Sequence, residues 1–163
     1  ADLCHSIASR VEGRLAALGT QVLLSRATAN HPSEGERAGF ANAVGADILV
    51  SIHVDRSLSQ EPNGIATFYY GNPRGGQHSL AGRVLAEHVQ SELTQRTDRL
   101  DCRSHPRTWD LLRLTRMPAV RVEVGYVSNI EDARRLSSAM FHDAVAEGIA
   151  GAVTSVCAPV TVP

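Results

Sequence analysis

The sequence contains no lysine. All sixteen basic residues are arginine, set against seventeen acidic ones for a formal charge of −1. A Walker phosphate loop, a Schiff-base or pyridoxal-phosphate enzyme and a protein-kinase ATP site each depend on a lysine, so those classes are excluded. The balanced charge gives no electrostatic reason to expect nucleic acid or an anionic membrane as the main partner. Cysteine is scarce: Cys4, Cys102 and Cys157 are too few, too widely spaced and odd in number for a disulfide framework. No apolar run approaches the roughly 18 residues of a membrane span. The Gly-x-Ser-x-Gly elbow of α/β-hydrolases is absent as well. Gly71-Asn-Pro-Arg-Gly-Gly76 is rich in turn formers but lacks the Gly-x-Gly-x-x-Gly spacing of a dinucleotide site.

What is present fits one ordinary domain, with 163 residues of which 43% are apolar. Leu3, Ile7, Val11, Leu15 and Leu18 recur at helical spacing and predict a helix over about 2 to 18, closed by Gly19. Gln21–Ser25 reads as a short buried strand, and a loop over Ala27 to Pro32 follows. Ser33-Glu-Gly-Glu36 is a capping box that opens a helix ending at Gly45. Asp47–His53, Ile65–Tyr70 and Ala119–Val124 read as strands. Trp109–Arg113 reads as a weaker one, and helices are expected over about Ser79 to Arg96 and, singly or as a pair, over Ile130 to Cys157. Apolar strands alternating with helices predict an α/β domain with a mainly parallel twisted sheet covered on both faces. The domain spans 1–157, with a tail at 158–163. Its first strand is expected to be missing, because such domains seldom begin on a helix.

In open α/β sheets, ligands sit outside the carboxyl ends of the strands. Two strands end in functional side chains there. Ser51-Ile-His53-Val-Asp55 places an imidazole and then a carboxylate, and Val120-Arg-Val-Glu123-Val places a carboxylate between valines. A buried acid is costly unless it is paired or bound to metal. Glu123 is therefore either chemical or an ion pair with Arg121 or Arg116, and His53 alone is equally open to a plain role at the core boundary. Cys4-His5 point about 100° apart on a helix and cannot easily share a metal. Cys102-Arg-Ser-His105 has two-ligand spacing but no second pair, which reads as a loop beside the cleft. Arg103, Arg107, Arg113 and Arg116 form the densest basic cluster. It serves either substrate carboxylates or a solvated, ion-paired surface.

Gly45-Ala-Asp-Ile-Leu-Val-Ser-Ile-His53, Gly64 before Phe68-Tyr-Tyr70, and Met117-Pro-Ala-Val-Arg-Val-Glu-Val-Gly-Tyr-Val-Ser-Asn129 resemble the type 3 N-acetylmuramoyl-L-alanine amidases. The block Asp101-Cys-Arg with Arg107-Thr-Trp-Asp-Leu-Leu-Arg-Leu-Thr-Arg-Met-Pro118 is similar to the actinobacterial, CwlM-like branch of that family. The resemblance implies a Zn2+-dependent hydrolase of the cell envelope that cuts the amide between N-acetylmuramic acid and L-alanine in peptidoglycan. By position, His53 matches a zinc ligand and Glu123 the catalytic carboxylate. Asp55, Arg113 and Arg116 are weaker candidates for substrate binding. The family's other two ligands precede its first helix, so the resemblance implies that the native polypeptide extends upstream of Ala1. It also carries a second reading: an inactive, cytoplasmic module that binds wall precursors or a protein partner to regulate wall synthesis.

Overall fold

The computed structural model describes residues 2–26 and 31–158. The predicted loop at 27–30 and all but the first residue of the tail at 158–163 lie outside them. Helix α1 (Asp2–Ala17) buries Ile7, Val11 and Leu15, one residue per turn, and closes where the Thr20 N–H donates to the Leu15 carbonyl at 3.0 Å. Helix α2 (Glu34–Ala43) starts on the expected capping box, with the Ser33 and Glu36 side chains each bonded to the other's backbone N–H. Strands β1 (Leu49–Asp55) and β2 (Ile65–Tyr70) come next, then α3 (Leu80–Thr97), which is capped by Ser79. Strand β3 (Asp101–Arg107), the short helix α4 (Asp110–Leu114) and strand β4 (Ala119–Tyr126) precede the helix pair α5 (Ile130–Leu136) and α6 (Ala139–Cys157).

The four strands form one sheet in the order β1-β4-β2-β3. β1 runs parallel to β4, and β2 parallel to β3, while β2 and β4 are antiparallel. The sheet is therefore mixed, parallel in two of its three ladders. Helices α1, α3 and α6 cover one face over a continuous core that takes Ile65, Tyr69, Val120, Val122 and Val124 from the strands. On the other face, α2 and α4 leave a smaller apolar cluster around Ala66, Phe68, Leu112 and Ala119. Every second residue of β4 faces each side. Arg121 and Glu123 thus point away from the main core, into the thinly covered layer.

Three expectations are corrected. Gln21–Ser25 is not a strand: it joins no ladder, and an extended segment without a partner for its N–H and C=O groups is not a sheet member. Together with β1 and α2 it walls a groove of about 550 Å³. Trp109–Arg113 is helical from Asp110, because its apolar pair Leu111–Leu112 is buried from one helical turn. Cys102–His105, read as a loop, lies within the edge strand β3. Arg103, at φ +65°, absorbs an extra residue where the β2–β3 register shifts, and the edge position tolerates Pro106.

Candidate active site

β1 and β4 lie in register, with Ser51 opposite Arg121 and His53 opposite Glu123. Because the two strands are parallel neighbours, paired residues share a face. The imidazole and the carboxylate therefore stand side by side near the carboxyl ends of both strands. On the β2 side, Arg121 pairs with Phe68 and Glu123 with Ala66. One row across the sheet thus reads Ser51, Arg121, Phe68, His105, and the row beside it His53, Glu123, Ala66.

Glu123 is 4% exposed. Burial raises its carboxyl above the ordinary value, and the charge of Asp55 adds to the rise. Arg121, in contact, and Arg107 pull the other way without reversing it. Arg121 Nη2 meets Glu123 Oε1 at 3.2 Å, and its Nη1 meets Glu34 Oε1 at 3.1 Å. The ion pair anticipated between Glu123 and Arg121 is therefore present. The Arg121 guanidinium also lies 4.6 Å from the Trp109 ring centroid, and its Nε is buried without a hydrogen-bond partner.

His53 shares a 2.7 Å hydrogen bond with Ser51 Oγ through Nε2. Burial depresses its pKa to about 3, helped by the positive charges of Arg121, Arg37 and Arg26. The imidazole is neutral at physiological pH, the form that binds a metal. A zinc site, however, needs about three protein ligands. Among the described residues no group of three His, Cys, Asp or Glu side chains converges to hold a metal ion. With one imidazole bonded to Ser51 and one carboxylate held by arginine, the described residues do not by themselves fit zinc.

The weaker candidates fall in two places. Asp55 joins the pair. It ends β1 opposite Tyr126, its backbone carbonyl takes the Val127 N–H at 2.9 Å, and its charge raises both the Glu123 carboxyl and the Tyr126 phenol. Arg113 and Arg116 are not brought there. They line a separate groove with Tyr70, Met117 and Ala119, at the start of β4, four residues before Glu123. Arg113 is ion-paired with Asp110 at 2.7 Å on the exposed surface.

The sequence did not single out Trp109 and Phe68 as part of this layer. Their rings lie 4.9 Å apart, and the Arg107 guanidinium sits over both. The one available signal was the aromatic-plus-arginine content of Arg107-Thr-Trp109. A further carboxylate supports the site from behind. Asp132 Oδ2 accepts the N–H groups of Gly64 and Tyr126 at 3.0 and 2.9 Å, and Oδ1 is ion-paired with Arg99. Gly125, at φ +143°, is required there, since a Cβ on it would lie 3.1 Å from Asp132 Oδ2.

The site thus sets a neutral imidazole beside a buried carboxylate at the strand ends of a mixed α/β sheet. The model of the N-acetylmuramoyl-L-alanine amidase family matches residues 1–155, and the chain belongs to that family. It is similar to N-acetylmuramoyl-L-alanine amidase CwlM of Mycobacterium tuberculosis, with 50% identity over 153 residues, 94% of this chain and 37% of the relative. It is also similar to LytC of Bacillus subtilis, an N-acetylmuramoyl-L-alanine amidase, with 31% identity over 143 residues, 88% of this chain and 28% of that protein. The chain thus spans well under half the length of either relative. Among solved structures, an N-acetylmuramoyl-L-alanine amidase from Clostridium difficile 630 superposes with a TM-score of 0.86 at 28% identity, covering 94% of this chain and 81% of that one. The catalytic domain of CwlV from Bacillus (Paenibacillus) polymyxa gives 0.82 at 29%, covering 91% and 79%.

Proposed function

We propose that this domain hydrolyses the amide between N-acetylmuramic acid and L-alanine in peptidoglycan, with Glu123 as general base and then general acid. The observation that carries the reading is the register of His53 opposite Glu123 at the carboxyl ends of β1 and β4. Glu123 takes a proton from water as the water oxygen attacks the lactyl carbonyl carbon. The C–N bond breaks, and the same carboxyl passes its proton to the leaving alanine nitrogen. A carboxyl raised by burial is a stronger base than an exposed one, which suits the proton-taking half of the exchange. Asp55 supports the raised value from the end of β1. The resemblance adds zinc dependence, with His53 as one ligand and the other ligands not among the described residues, and no step above is routed through the metal. This activity would place the protein in the cell envelope.

The Arg121–Glu123 ion pair and the lack of a three-donor group among the described residues favour a second reading. In it the fold is kept as a non-catalytic module that holds a wall precursor or a partner protein. Turnover of a purified muropeptide by wild type and Glu123→Gln, with zinc content measured alongside, separates the two. The amidase reading expects hydrolysis that falls about a thousandfold in Glu123→Gln, with zinc lost in His53→Ala. Muropeptide binding without hydrolysis in the wild type would support the second reading.

A further inference from the structure

Trp109 carries two guanidinium groups with different fates. Arg121, 4.6 Å from its ring centroid, is committed to Glu34 and Glu123. Arg107 lies 5.7 Å from the same ring and 5.3 Å from the Phe68 ring. Phe68 is 6% exposed and stacks at a tilt on Trp109, so the platform under Arg107 is fixed. The hydrogen bond of Arg107 goes to the carbonyl of its own neighbour Pro106, at 2.9 Å. Among the described residues no carboxylate is ion-paired with it. A guanidinium carries five N–H donors in a rigid fork, and most of this one's have no protein acceptor among the described residues.

Arg107 shares the Trp109 ring with Arg121, which contacts Glu123, so it lies in the same layer as the candidate base; along the sheet it stands opposite Tyr70, four residues from Ala66, the register partner of Glu123. Stacking on two rings restricts the side chain before any ligand arrives, and it leaves the edge of the guanidinium for a planar partner. Such an edge matches a carboxylate bidentately. The neighbouring Arg121 does not offer this, because its two Nη groups are already paired with Glu34 and Glu123.

We propose that Arg107, stacked on Phe68 and Trp109, is a subsite for a peptide carboxylate of the substrate, on the sheet face that carries Glu123. The proposal rests on the peptidoglycan reading and adds to it the group by which a stem peptide is recognised. Hydrogen bonds to a charged group contribute about 1.5–3 kcal/mol, which corresponds to roughly 10- to 100-fold in affinity.

The test uses two muropeptides that differ only in whether the stem carboxylates are free or converted to carboxamides. Dissociation constants are measured by calorimetry and kcat/KM by product release, for wild type, Arg107→Gln and Arg107→Lys. Wild type should prefer the free acid by about 10-fold or more. Arg107→Gln should bring the ratio close to one by weakening the acid form alone, and Arg107→Lys should retain part of it. A melting curve checks that Arg107→Gln is folded; if it is not, the wild-type ratio and Arg107→Lys decide. Equal affinity of the wild type for both ligands, or a ratio unchanged in the variants, would overturn the subsite. An acid preference lost in Arg107→Gln, but with no turnover of either ligand, would uphold the subsite and overturn the amidase reading. Binding of neither ligand by the wild type would overturn both.

Discussion

Two buried arginine–carboxylate pairs lie close together in this chain, and they are built differently. Asp132 is 2% exposed and takes two backbone N–H groups as well as Arg99, so both of its oxygens are occupied. Its bonds tie the loop before β2 to the end of β4 and to the turn before β3. Glu123, almost as buried, has a single arginine contact on Oε1, and its carboxyl still lies above the ordinary range. A carboxylate whose acceptors are filled by backbone donors is a fixed joint. One that is desolvated and incompletely matched keeps its affinity for a proton, and that property serves acid–base chemistry. The same two residue types thus make a fixed joint at one site and, on the proposed reading, an acid–base group at the other.

The contrast makes its sharpest prediction through Glu123→Gln. Turnover should fall about a thousandfold, while the melting temperature stays level or rises. The sign follows from the raised carboxyl: such a group contributes stability below its unfolded value and loses it as pH rises through the folded one, a loss that glutamine, which does not ionise, escapes. Asp132→Ala should do the reverse. It strands the Arg99 guanidinium and two backbone donors and should cost about 3 kcal/mol or more in denaturant unfolding. Similar stability losses in the two variants would erase the distinction.

A third test reads the site's charge environment. His53 is depressed to about 3 from its ordinary value near 6.5, so the unfolded chain binds its proton first. The contribution of His53 to stability is complete above pH 6.5. Below that it should decline by up to about 1.4 kcal/mol per pH unit. The difference between wild type and His53→Gln over pH 5 to 7 isolates this slope. The smallest expected effect lies at Ser33, whose cap opens the helix that presents Glu34 to Arg121. Ser33→Ala should cost about 1 kcal/mol in unfolding free energy.

Much of this arrangement was legible in the residues. The strand Ile65–Tyr70, the capping box at Ser33 and the stripe on α1 each rest on a local pattern; the first two are observed as read, and the stripe holds from Leu3 to Leu15 while Leu18 lies past the helix end, exposed. His53 and Glu123 were marked by polar residues at the ends of apolar runs, and their adjacency follows once β1 and β4 are neighbours. The antiparallel β2–β4 ladder was not legible, because strand direction is set by long-range packing. β3 was hidden by its charges and by Pro106, which an edge strand tolerates and a central one would not. The Arg107–Trp109–Arg121 stack escaped for a related reason: it joins β3, the loop after it and β4, three segments with no shared periodicity.

The central claim, that Glu123 runs hydrolysis of the muramoyl–alanine bond, is tested most directly by identifying the cleavage products. Peptidoglycan digested with the wild-type chain and with Glu123→Gln would be examined by mass spectrometry for paired new ends, a free lactyl carboxylic acid on muramic acid and a free amino group on L-alanine. Both ends should appear in equal amounts with the wild type and almost none with the variant. Cleavage at another bond, or equal release by the folded variant, would contradict it.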